Sequence, residues 1–212
     1  MPRYDQNSPA IQYLSRRDKH LVKVIRMVGP LEYVPAADGY AFLVTQIIGQ
    51  MLSNKVAAVL TARLRVQCAG QLGLAAINQL TDSQIRQIGI SHTKVGYIRN
   101  LSAAASTGQI SADRYQSLSD AAIIQDLTTI KGIGQWSAKM YLIFVLDRPN
   151  VLPVEDVAFL QGYGWVYKTK DYHPAAVRKK CRKWRPYASL AARYLYVALD
   201  SGLTKQPFHL FK

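Results

Sequence analysis

Between Leu127 and Leu160 the chain reads L-T-T-I-K-G-I-G-Q-W-S-A-K-M-Y-L-I-F-V-L-D-R-P-N-V-L-P-V-E-D-V-A-F-L, and no other stretch constrains the fold as much. Gly132 and Gly134 flank Ile133, with apolar, helix-like sequence on both sides, which predicts two helices joined by a very tight hairpin. Such a turn needs backbone at positive φ, or a position with no Cβ in the way. It leaves the first N–H groups of the second helix without intrahelical acceptors, where an anion such as a phosphate can sit. Pro153-Val154-Glu155-Asp156-Val157 then puts a carboxylate at a helix start, 22 residues after Gly134. Each half has a plain structural alternative. A glycine pair is a common helix C-cap, and Asp is among the preferred N-caps.

The formal net charge is +14 and the pI about 9.9, so the partner is expected to be a polyanion, with nucleic acid ahead of an anionic membrane surface. At 212 residues with 49% hydrophobic content, the chain can bury one sizeable core or two small lobes. No apolar run approaches the roughly 20 residues a spanning helix needs, and no apolar signal region opens the chain. A soluble, intracellular protein without a membrane span follows as the expectation. The only cysteines, Cys68 and Cys181, stand far apart with no C-x-x-C partner, so neither a disulfide framework nor a zinc site is set by the sequence.

Helical periodicity predicts one helix over residues 8–28, ended by Gly29-Pro30, and a second helical run from Tyr40 to about Val66, interrupted near Gln46 to Leu52. Thr81-Asp82-Ser83-Gln84 reads as a helix start, and Gly89 to Arg99 as a turn into a short amphipathic helix whose Lys94 and Arg99 form a solvated face. Ser119-Asp120 caps a helix leading into the hairpin. Strand alternation is nearly absent, so the fold class is all-α. Lys168 to Arg185 carries eight Lys/Arg against one acid, Asp171, a run that favours phosphate over bare solvent. Trp165, Trp184, Tyr187, Tyr194 and Tyr196 lie in or just after it, as stacking on unpaired bases would require, with the core as the alternative for Trp184.

Three segments together, Lys131-Gly132-Ile133-Gly134-Gln135-Trp136-Ser137-Ala138, then Val151-Leu152-Pro153-Val154-Glu155-Asp156, then Lys183-Trp184-Arg185-Pro186-Tyr187, resemble the helix-hairpin-helix (HhH-GPD) DNA glycosylases, most closely the 3-methyladenine DNA glycosylase II branch. The resemblance covers most of residues 10 to 200 and includes the pattern G-I-S-x-x-K-x-x-Y-I from Gly89 to Ile98. It implies a single catalytic domain over residues 1–212 of two helical lobes with the active-site cleft between them. One lobe spans approximately 38–146, including the hairpin at 127–146; the other joins 1–37 to 147–212. The implied enzyme is a monofunctional N-glycosyl hydrolase of base excision repair, which flips alkylated purines, 3-methyladenine and 7-methylguanine, out of double-stranded DNA and leaves an abasic site. The alternatives are a glycosylase for a deaminated or oxidised base, and a non-enzymatic helix-hairpin-helix DNA-binding protein.

Carried over residue by residue, the resemblance makes Asp156 the catalytic carboxylate, with Glu155 pointing elsewhere. Trp136, Met140, Tyr141 and Tyr196 become the substrate pocket, although the family branch often has a Tyr at the position of Met140. Gln50, Met51, Lys131, Gly132, Ile133 and Gly134 become DNA contacts, with Met51 or its neighbour Leu52 as the apolar wedge; the alternative for Met51 is a flexible core filler. Trp136 stands where lyase members of the superfamily have a nucleophilic Lys, so no Schiff base is expected. The family often has an Arg at the position of Ala188. No cofactor is implied; the hairpin is compatible with a monovalent cation (Na or K) on its carbonyls, and the four-cysteine iron–sulfur cluster of some relatives has no ligands here.

Overall fold

Short polar residues set just before apolar runs start most of the helices. The computed structural model describes residues 3–210. Two-residue strands β1 (Arg3–Tyr4) and β2 (Leu31–Glu32) pair antiparallel, Arg3 against Glu32 and Tyr4 against Leu31. Between them run α1 (Pro9–Arg17), with Pro at its first position, and α2 (Lys19–Val28). The single helix expected over 8–28 is therefore broken. Asp18 leaves helical geometry, and its carboxylate accepts from the N–H groups of His20 (3.0 Å) and Leu21 (3.3 Å), because a short acid bonds a helix start more readily than it continues a helix.

Eight helices follow: α3 (Gly39–Gly49), α4 (Asn54–Gln67), α5 (Leu74–Gln79), α6 (Asp82–Gln87), α7 (His92–Ser106), α8 (Ala112–Gln116), α9 (Asp120–Thr128) and α10 (Gln135–Phe144). Asp38, Ser53, Ser91, Ser111 and Ser119 each cap a helix through the side chain, and Thr81 with Gln84 forms a full capping box. The remaining helices are α11 (Val157–Tyr167), α12 (Pro174–Cys181) and α13 (Ala188–Asp200).

The chain divides into two compact units, Met1–Pro35 with Asp147–Lys212, and Ala36–Leu146. In the first, α13 packs on α2 and α11. Ala188, Ala191, Ala192 and Ala198 keep α13 slim, and Gly162 lets α11 approach so closely that a Cβ there would meet the Leu195 Cβ at 3.0 Å. Trp184, Phe159 and Leu195 are fully buried in this core, each contributing about 1.5–3 kcal/mol relative to exposure. At its floor lies Asp18, which accepts from Trp184 Nε1 (2.8 Å), from the Tyr167 hydroxyl and from Lys183 Nζ (3.0 Å). Burial pushes the Asp18 carboxyl up, but these donors together outweigh it and hold it below its ordinary value.

In the second unit α3 packs on α4, α7 and α10. Gly39 is required where α3 begins, since a Cβ would lie 2.4 Å from the Tyr141 hydroxyl. Lys94 and Arg99 do not form the solvated face read from the sequence. Both turn their head groups onto the carbonyl ends of other helices: Lys94 Nζ onto Ile48 O (2.7 Å) and Gln50 O (2.8 Å), Arg99 onto Ile77 O (3.1 Å) and Leu80 O. The unpaired carbonyls and negative dipole end of a helix attract a cation on a long stem. Among the described residues no helix is long and apolar enough to cross a membrane.

Candidate active site

The hairpin expected between α9 and α10 is present. Ile133 N–H closes it on Ile130 O (2.9 Å), and both isoleucines are buried. Ile133 therefore anchors the turn rather than facing a ligand, since its side chain and its N–H are both used inside the protein. The two glycines serve different needs. Gly132 has φ +109, and a Cβ on it would lie 2.5 Å from Cβ and Cγ of Tyr97. Gly134 has φ −100 and ψ 178, extended backbone open to any residue, and a Cβ there would meet nothing within 4 Å. Among the described residues the N–H groups of Gly132 and Gly134 have no acceptor, and no side chain caps α10. Together with exposed Lys131 they form an open donor site for an anion. The hairpin carbonyls are partly engaged: Asn100 Nδ2 donates to Lys131 O (3.2 Å) and Gln50 Nε2 to Gly132 O (2.9 Å). Each carbonyl keeps a second lone pair, so a hard monovalent cation fits their chemistry.

Gln50 sits where α3 ends, so it tethers the loop 50–53 to the hairpin. At the tip of that loop Met51 has φ +59 and is 101% exposed, which excludes the core-filler alternative; Leu52 is 37% exposed.

Asp156 is the N-cap that the sequence allowed, and it is buried. It is 7% exposed and N-caps α11, its Oδ2 accepting from Phe159 N–H at 2.8 Å. The Tyr196 hydroxyl also hydrogen-bonds its side chain; burial, then the Asp156 charge, push that phenol far above its ordinary range. Tyr196 thus touches the carboxylate with its polar end and is not a bare aromatic wall. Glu155 is exposed and faces Arg178 at 3.9 Å.

Of the other pocket residues, half-buried Trp136 lines a groove of about 520 Å³ with Thr45, Gln46, Gly49, Ala58 and Arg65. Met140 is buried. Tyr141 belongs to the core, edge-on to Tyr115 and Phe42, and burial pushes its phenol up to about 12. It follows Met140 by one residue, so on a helix it faces a different direction from a side chain placed for the pocket.

The basic stretch sorts itself by face. Arg178, Lys179, Arg182 and Arg185 are exposed and line a groove of about 370 Å³, while Lys183 is taken by Asp18. Its aromatics do not wait for bases. Trp184 and Tyr194 are core, Trp165 packs on Phe208, and Tyr187 on Tyr13, because the faces opposite the cations are the ones buried. Cys68 and Cys181 are free and buried.

A chain built almost wholly of helices, a glycine hairpin with an uncapped second helix, and a buried aspartate at a later helix start define a helix-hairpin-helix architecture. The model described as HhH-GPD superfamily base excision DNA repair protein matches residues 44–186, and the chain belongs to that superfamily. DNA-3-methyladenine glycosylase 1 of Schizosaccharomyces pombe is 29% identical over 195 residues, covering 87% of this chain and 84% of its own. Among solved structures, a DNA-3-methyladenine glycosidase from Bacillus halodurans superposes with TM-score 0.86 at 28% identity, covering 99% of this chain and 97% of its own. The S. pombe 3-methyladenine DNA glycosylase Mag1, in complex with abasic DNA, gives TM-score 0.81 at 26% identity, covering 91% and 97%.

Proposed function

We propose that this protein is a monofunctional DNA glycosylase of base excision repair that flips alkylated purines, 3-methyladenine and 7-methylguanine, from duplex DNA and releases them by hydrolysis. The observation that carries the reading is the Asp156 carboxylate: buried, fixed by the Phe159 N–H and Tyr196, and set in a chain whose relatives are named as 3-methyladenine glycosylases.

The chemistry follows from the substrate. A purine methylated at N3 or N7 is a cation, so its bond to the sugar C1′ breaks with the electron pair passing to the base, and little acid catalysis is needed. The sugar becomes oxocarbenium-like, and Asp156 supplies the opposing charge. Water then adds to C1′ and its proton passes to the carboxylate or to solvent. Trp136 offers a π face to the cationic base. It replaces the Lys that would attack the sugar in a lyase, so the abasic site stays intact.

Open N–H groups at Gly132 and Gly134, with Lys131, grip a DNA phosphate, and Met51 fills the gap left by the flipped nucleotide. The groove of Arg178, Lys179, Arg182 and Arg185 adds backbone contacts. Main-chain oxygens at Lys131 and Gly132 would hold a monovalent cation, which would add positive charge for the phosphate. No iron–sulfur cluster takes part, as the chain has two cysteines. The protein acts as a monomer in the cytoplasm, reaching the nucleoid through DNA; its +14 charge opposes self-association.

The test is incubation with duplexes carrying methylated, deaminated and oxidised bases, with the released base identified. Release of 3-methyladenine and 7-methylguanine without strand cleavage is expected. Release of only deaminated or oxidised bases, or a borohydride-trapped adduct, overturns the reading.

A further inference from the structure

We propose that one face of α7 sets the wedge loop against the hairpin, and that Lys94 is the positioning residue through which Met51 acts. The proposal rests on the wedge role assigned above. Lys94, Tyr97 and Asn100 follow one another at i, i+3 and i+6, so they form one stripe along the helix. Each touches a DNA-facing element at a different point. Lys94 Nζ donates to Ile48 O at 2.7 Å and to Gln50 O at 2.8 Å, closing the carbonyl end of α3 where the loop begins. The Tyr97 ring is the surface against which Gly132 is seated. Asn100 Nδ2 holds Lys131 O at 3.2 Å. Gln50, whose own carbonyl Lys94 holds, completes the link by donating to Gly132 O at 2.9 Å.

The loop gives this bracket its meaning. Met51 is an apolar side chain wholly in water, on backbone at φ +59, a conformation that an L residue keeps when its surroundings impose it. Neither feature helps folding. What fixes the loop just before Met51 is the ammonium of Lys94 on the Ile48 and Gln50 carbonyls and the Gln50 amide on the hairpin, while beyond it Leu52 N–H closes on Gly49 O at 3.1 Å. Burial lowers the Lys94 pKa, consistent with a head group turned away from solvent. Freed from Lys94, the loop samples many conformations, and only a fraction present Met51 at the right distance from the phosphate grip. Apparent affinity for DNA with a gap then falls by that fraction, while the phosphate grip is untouched.

The test is a double-mutant cycle of Lys94→Met and Met51→Ala. Binding is measured to a duplex containing a tetrahydrofuran abasic analogue and to the undamaged duplex, with thermal melting of each variant. Lys94→Met is expected to weaken analogue binding about tenfold, as for groups in one network, and the double variant to be no worse than the weaker single one. Affinity for undamaged DNA and its salt slope should not change, whereas a lysine touching a phosphate would lower that slope by about 0.9. Lys94→Arg, which keeps donors and charge, should restore most of the loss. Additive losses in the cycle, or a reduced salt slope, overturn the positioning role. If Lys94→Met does not fold, Lys94→Gln enters the same cycle with the same criteria. Absence of any preference for the analogue in the unaltered protein, or no effect of Met51→Ala, brings down the wedge reading and this inference with it. The expected behaviour of both, with additivity in the double variant, overturns this inference alone.

Discussion

Substituting alanine at the two hairpin glycines should give opposite results, and the structure sets the size of each. At Gly132 the new Cβ meets the Tyr97 Cβ and Cγ at 2.5 Å and Cδ1 at 2.9 Å, and φ is +109. Because the Tyr97 Cβ is fixed to the α7 backbone, the ring cannot simply swing away. Backbone strain of about 1–3 kcal/mol and overpacking of about 1–3 kcal/mol together predict a loss of stability of about 2–6 kcal/mol. At Gly134, φ is −100 and nothing lies within 4 Å of the added methyl. Restricting the unfolded chain gains about 0.4–1 kcal/mol, alanine is a poorer N-cap than glycine, and the two nearly cancel. The melting temperature should move by less than about 3 °C. The methyl is added at the residue whose own N–H is part of the open donor site, so its expected effect is to crowd a bound phosphate. Losing charge-assisted hydrogen bonds there costs about 1.5–3 kcal/mol, roughly 10- to 150-fold in Kd. Fluorescence anisotropy with an abasic-analogue duplex, beside thermal melting, reads both. Gly134→Ala binding within threefold of the parent would refute the anion site, and a fully stable Gly132→Ala would refute the packing argument.

Asp156→Asn keeps an N-cap of equal quality on α11 and removes only the charge, so DNA binding and melting temperature should hold while single-turnover base release falls roughly 100-fold or more; full activity would discard the site. Met51→Ala should weaken binding to the abasic analogue with stability changed by no more than about 0.5 kcal/mol, the range for exposed positions, and a clear drop in melting temperature would contradict its exposure. Asp18 has its carboxyl pKa depressed in the folded state, so its stabilisation is present above the ordinary value of 3.8 and is lost as pH falls through the lower folded value. Asp18→Asn should therefore flatten the acid limb of a stability–pH curve below about pH 4 and cost about 3–5 kcal/mol near neutrality, since Lys183 and the buried donors lose their acceptor charge; an unchanged acid limb would show that Asp18 does not govern it.

Helix starts were legible because their signals are local. Thr81 with Gln84, Ser119 and the glycine hairpin each act within a few residues, and each appears where the sequence places it. The break at position 18 is not visible in the periodicity, which continues through it. There the Asp18 carboxylate caps α2, and Lys183, Trp184 and Tyr167, which approach from far along the chain, hold the same carboxylate. Lys94 and Arg99 look like surface cations for the same reason, as periodicity reports a face but not which helix end lies opposite. Met51 could be core or surface from its type alone. The sign that resolved it was the break between α3 and α4, which puts it at a loop tip. Tyr141 lies one helical step past the position where the family has its aromatic and packs in the core, since a residue next along a helix does not take over its neighbour's direction.

The two readings of Asp156, cap and catalyst, do not exclude one another. A carboxylate that is to oppose a transient positive charge must keep one orientation without reorganising when the charge appears. A free aspartate at a surface would satisfy the chemistry but sample several rotamers. Here the Phe159 N–H takes Oδ2 as part of starting α11, so the interaction that stabilises the helix also orients the group, and Tyr196 from α13 supports the same side chain. The preceding Leu152-Pro153-Val154 turn is tied to its own unit by Ser189, which accepts from Val151 N–H at 2.9 Å while its hydroxyl donates to Arg148 O. Glu155, one residue earlier, is exposed and faces Arg178 at 3.9 Å. Two adjacent acids of similar intrinsic chemistry are therefore separated by backbone position alone: the residue at the N-cap inherits a fixed direction from the helix it begins.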